Sequence, residues 1–154
     1  MAPLIAPGFP GRVPRALGQI IRDSFFVNAF NFTFVGAENQ QGTIQIQSDA
    51  HFLCVMTMFD TNVAAGVAGA AFGGTLVQIT DGSSAQQLTN ILVPASSIFG
   101  TAQRPYWWPL THLFRASGFI GISATGIAAA TAQTVRYSFG GYKVPKGSVP
   151  ELGL

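Results

Sequence analysis

Residues 30–34 read Phe-Asn-Phe-Thr-Phe. Successive side chains of an extended chain point to opposite faces, so three aromatic rings fall on one side and two polar groups on the other. That is a strand with one apolar face, and the same reading recurs outward from it. Ile44 and Ile46 alternate with Thr43, Gln45 and Gln47. Val77 and Ile79 alternate with Gln78 and Thr80, and Asp81-Gly82 follows as a turn that tolerates positive φ. Val135, Tyr137 and Phe139 alternate with Thr134, Arg136 and Ser138. Phe52 to Phe59 is almost continuously apolar, which predicts a strand covered on both faces. Gln86 to Val93, ended by Pro94, reads as a returning strand, and Phe119 to Ala124 as another. No stretch has the periodicity of an amphipathic helix. Short strands separated by turn signals predict an all-β chain, an antiparallel β-sandwich or jelly-roll.

Proline placement divides the chain. Proline lacks the N–H that a sheet ladder needs and is pushed to termini, edges and loops. Four of the nine prolines lie within residues 1–14, and none lies between Arg15 and Val93. The organisation read from this is an extended N-terminal arm over 1–22, a β-sandwich domain over 23–144 and a C-terminal tail over 145–154. The arm carries Arg12, Arg15 and Arg22 with apolar anchors that include Leu4 and Phe9. It suits either a flexible leader or a segment wrapped on a neighbouring subunit. Its prolines and the lack of a preceding basic residue argue against a signal peptide, so assembly in the cytoplasm is expected.

Only 9% of the 154 residues are charged, against about 25% in an ordinary soluble domain. A free monomer keeps itself soluble with such residues, so this chain's surface must be solvated by Ser, Thr, Gln and Asn or covered by partners. Disorder of the body is excluded, because disorder needs low hydrophobicity and high net charge. A net charge of +2 gives too weak a field for a binder of nucleic acid that relies on a basic footprint. The single cysteine, Cys54, excludes an intrachain disulfide and a Cys-rich zinc site. No stretch approaches the ~20 strongly apolar residues of a membrane-spanning helix. The predicted strand edges lack the lysines that commonly block edge-to-edge pairing.

The connections hold the candidate contacts. Asn62 to Gly74 is a loop of small residues, suited either to flexibility or to close packing against another subunit. Pro94 to Phe114 reads as a long crossover and holds the densest aromatic cluster, Arg104-Pro105-Tyr106-Trp107-Trp108-Pro109. Trp, Tyr and Arg dominate interface energetics, so Arg104, Tyr106, Trp107 and Trp108 join Leu4, Phe9, Arg12 and Arg15 as candidate subunit-interface residues. Adjacent Trp107 and Trp108 point to opposite sides of an extended segment, one towards the core and one outward. The same aromatic residues could cap the core or stack on a carbohydrate. No nucleophile elbow, phosphate-binding loop, dinucleotide fingerprint or metalloprotease helix occurs. His51 and Cys54 fall on opposite faces of one strand, and each histidine reads as a hydrogen-bonded structural residue. Catalytic, cofactor and metal sites are therefore expected to be absent, and the chain is read as a non-enzyme.

Four stretches carry a resemblance: Asp49-Ala50-His51-Phe52-Leu53, Val77-Gln78-Ile79-Thr80-Asp81, Ile98 to Pro105 with Pro109 and Leu113-Phe114, and Phe139-Gly140-Gly141-Tyr142-Lys143. Together, over about Phe25 to Lys143, the chain resembles small virion structural proteins of tailed bacteriophages. The resemblance implies a structural role in many copies, a homo-oligomer located in the virion. Its partners would be the major capsid protein, or portal, adaptor or tail proteins. Capsid decoration is placed ahead of a tail, collar or fibre component.

Overall fold

The computed structural model describes residues 25–62, 75–126 and 133–148. The N-terminal arm, the loop residues 63–74 and the end of the tail lie outside them. The described chain forms nine strands: β1 Phe25–Phe34, β2 Asn39–Gln45, β3 Ala50–Asn62, β4 Leu76–Asp81, β5 Gln86–Gln87, β6 Val93–Pro94, β7 Tyr106–Phe114, β8 Phe119–Thr125 and β9 Gln133–Pro145. A short 3₁₀ turn, Ala95–Ser97, follows β6.

All strand pairs are antiparallel. Sheet A has the order β1-β9-β3-β7, and sheet B the order β2-β8-β4-β5, with β6 also on β4. This is the eight-stranded jelly-roll, with β5 and β6 together taking one strand's place. The alternation read in the sequence sets the core. Phe30, Phe32 and Phe34 of β1 and Val135, Tyr137 and Phe139 of β9 are buried against Val77, Ile79, Ile120 and Ile122 of sheet B.

Part of the other side of sheet A is apolar as well. Leu53, Val55, Met56 and Val144 form a second buried cluster, with Met58, Leu113 and Tyr142 packed on it. This fits the expectation that the β3 segment is covered on both faces. A bulge separates Cys54 from Met56, opposite the Gly140-Gly141 pair of β9. A Cβ on Gly141 would collide with the Leu53 carbonyl oxygen, a backbone atom that cannot swing aside. Gly141→Ala is expected to destabilise the fold by about 1–3 kcal/mol, read as a shift in the urea midpoint at constant m.

Three expectations are corrected. The returning strand Gln86 to Val93 is two dipeptide pieces, β5 and β6. Between them the Thr89 carbonyl accepts from the Gln78 side chain in place of a ladder bond. Pro94 is the last residue of β6 instead of a stop after it. The crossover from Pro94 to Phe114 contains a nine-residue strand, β7. It accommodates Pro109 because β7 is an edge strand and leaves its register with β3 between His112 and Trp107.

Candidate interaction surface

Cross-strand partners share a face, so the ladders of sheet A map its outer surface. Trp107 pairs with Met56, which places it on the side of the second apolar cluster. Its side chain is 49% exposed. At the opposite edge, Phe25 pairs with Tyr142, and their rings meet edge to face at 5.6 Å. Phe25 and Val27 are exposed as well. One end of the outer face of sheet A is therefore a buried apolar cluster flanked by exposed Phe25 and Val27 on β1 and Trp107 on β7, while its other end carries Asn31, Thr33, Asp60 and Arg136. Phe25 and Val27 escaped the sequence reading. Their signal was the run Phe25-Phe26-Val27, which makes both phases of β1 apolar at its start.

Trp108 turns the other way. It packs on the main core, and its Nε1–H donates to Thr57 Oγ1 at 3.0 Å. The Thr57 hydroxyl in turn donates to the Ile98 carbonyl. Tyr106 and Trp108 line a cleft with Leu88, Thr89, Ile98 and Leu110, and no charged residue borders it. Leu110 at its rim is 78% exposed. Tyr106, Trp107 and Trp108 thus alternate between two sides and form no single stacking platform. Arg104 is exposed in a turn, where it exchanges backbone hydrogen bonds with Thr101 at 3.0 and 3.1 Å. Leu4, Phe9, Arg12 and Arg15 lie outside the described residues.

The outer face of sheet B differs. Asn39, Gln41, Thr43 and Gln45 of β2, Gln78 and Thr80 of β4, and Ser123 and Thr125 of β8 share it in register. None is charged. Asn39 Nδ2 donates to Ser123 Oγ and Thr125 Oγ1, each at 2.9 Å.

Among the described residues, His51, Cys54, Asp81 and His112 are titratable groups held in or against the core. His51 is buried, and its Nδ1 accepts the Ala116 N–H at 3.0 Å. Desolvation, with Arg115 and Lys146 nearby, holds its imidazole below the ordinary range. Cys54 is fully buried, and burial pushes its thiol up, so it is inert as a nucleophile at neutral pH. His112 Nε2 lies 2.8 Å from Asp81 Oδ2, joining β7 of sheet A to β4 of sheet B. Asp81 Oδ1 also accepts from the Ser83 N–H at 2.9 Å and from its hydroxyl at 2.6 Å. Burial pushes the Asp81 carboxyl up, but the bonds from Ser83 and His112 outweigh it and hold it below its ordinary value. Among the described residues, no group of three or more His, Cys, Asp or Glu side chains is placed to hold a metal ion, and no helix is long and apolar enough to cross a membrane.

Comparison with models of known families gives no match, and comparison with curated proteins gives none.

Proposed function

We propose that this chain is a structural subunit of a bacteriophage particle, a capsid decoration protein that stabilises the shell by passive contact. The observation that carries the reading is the set of exposed apolar side chains on the outer side of sheet A, Phe25, Val27 and Trp107, beside a cluster that is itself buried. At these three positions a free monomer would commonly carry polar or charged side chains, as this same face does at Asp60 and Arg136. Exposed apolar surface of this kind marks sites of protein contact. The work done is burial of apolar area, at ~25 cal/mol per Å² before association costs. The jelly-roll supplies a rigid two-layer plate for it, and the partner is the major capsid protein.

Mass spectrometry of particles from the phage that encodes this chain is expected to find it in many copies, and immunogold labelling to place it on the head. Labelling confined to the tail would move it to a collar, tail or fibre role. Absence from particles, with a chain that stays monomeric, would sink the reading. Trp107→Ala is expected to weaken retention on particles by about 2 kcal/mol, roughly 30-fold, without altering the fold.

A further inference from the structure

The sequence of β2, Asn-Gln-Gln-Gly-Thr-Ile-Gln, has no charge and no proline. The strand ends sheet B, with β8 on one side and no described strand on the other. Its ladder fixes which backbone groups are left over. Gly126 N–H donates to the Glu38 carbonyl at 2.9 Å, and Ile46 N–H to the Gly118 carbonyl at 2.8 Å, bracketing the register at both ends. In an antiparallel pair, hydrogen-bonded and non-hydrogen-bonded residues alternate. Gln40, Gly42 and Ile44 therefore exchange bonds with β8. The N–H and C=O groups of Asn39, Gln41, Thr43 and Gln45 point away from the sheet, and all four residues are exposed.

Natural edge strands are blocked by lysine, proline, bulges or short length. Two other edges here are blocked in these ways, β7 by Pro109 and its register break and β6 by Pro94 and its two residues. Among the described residues, the edges of β1 and β2 are regular and unpaired, and β2 carries the more polar side chains of the two.

We propose that β2 pairs antiparallel with β2 of a second copy, across a two-fold axis at Gly42, and joins two B sheets into one. The strand is its own best partner. Full overlap sets Asn39 opposite Gln45 and Gln41 opposite Thr43, so each outward N–H meets an outward C=O. Every facing side chain is neutral, and Asn39, Gln41, Thr43 and Gln45 on the outer side can hydrogen-bond, so identical edges meet without repulsion. The contact is isologous and closes on itself, giving a dimer instead of an open fibre. The N-terminal arm is a poor occupant, because Pro3, Pro7, Pro10 and Pro14 have no N–H to donate. The pairing deepens the particle reading by naming how neighbouring copies join, and it leaves the outer face of sheet A for the capsid.

Sedimentation velocity of the full chain tests it. The wild type is expected to sediment as a dimer at micromolar concentration. Thr43→Pro removes one outward N–H per copy without touching a β2–β8 bond, and proline is tolerated at such edge positions. It is expected to leave the far-UV spectrum and melting temperature near wild type and to weaken self-association roughly 100-fold. Gln41→Lys alone is expected to weaken it too, through repulsion between diagonal neighbours. Mixing Gln41→Lys with Thr43→Glu restores pairing, since the two new charges face each other in this register. A monomeric wild type overturns the proposal. So does a wild-type dimer that Thr43→Pro and Gln41→Lys leave intact, an outcome that does not touch the particle reading. Absence from particles with the edge dimer retained would sink the particle reading alone.

Discussion

Phe99→Ala is expected to cost about 3–5 kcal/mol of unfolding free energy, near the whole stability of a marginal domain. Phe99 comes from the connection between β6 and β7, not from a strand, yet it is 2% exposed. Its ring meets Tyr137 at 5.1 Å and Phe139 at 5.6 Å, edge to face in both cases. The backbone around it is tethered. Phe99 N–H donates to the Ala95 carbonyl at 2.8 Å, and Gly100 exchanges bonds with Thr57 and Phe59 of β3 at 3.2 and 2.8 Å. A cavity in such a place cannot collapse, which puts the cost at the top of the range for aromatic truncation. Urea unfolding followed by tryptophan fluorescence should show a lower midpoint at unchanged m. A loss below about 1 kcal/mol would mean that the connection can close over the gap.

Asp81→Ala should cost about 1–2 kcal/mol, since it removes the buried acceptor of His112 and Ser83 while both donors keep some access to water. Asp81→Asn keeps an acceptor for Ser83 and should cost less. It should also change the acid limb of stability. The folded carboxyl lies below its unfolded value, so as pH falls the unfolded chain takes up the proton first. The contribution of Asp81 is full above the ordinary carboxylate pKa and is lost as pH drops below it. Asp81→Asn should flatten that part of the pH–stability curve. His51 acts in the same direction at higher pH. Its folded value is depressed, so its contribution is full above about pH 6.5 and declines as pH falls. An Asp81→Asn curve with an unchanged limb below pH 4 would assign the acid sensitivity elsewhere.

The strands with clean period-2 alternation were legible because one periodicity sets both local shape and burial. β7 was hidden by Pro109, whose local rule excludes a strand interior and whose edge position only the assembled sheet reveals. β5 and β6 merged into one predicted strand because Gln78's side chain, remote in sequence, replaces the ladder there. The split orientation of Trp107 and Trp108 followed from extended geometry alone. The Asp81–His112 bridge did not emerge, because its partners are 31 residues apart. A signal was present: Asp81 is in phase with Val77 and Ile79, and His112 with Phe114. A charged residue on an apolar phase asks for a buried partner. The apolar rim of sheet A was half legible, at Trp107 and not at Phe25 or Val27, because strand neighbours decide which of two apolar phases stays uncovered.

Asn39, Gln41, Thr43, Gln78 and Thr80 give the outer face of sheet B a set of neutral dipoles with no charge among them. Mobile ions screen contacts between charges over about 10 Å at 0.1 M salt, and they have little grip on bonds between neutral amides and hydroxyls. Contacts through this face should hold equally in dilute buffer and in brine.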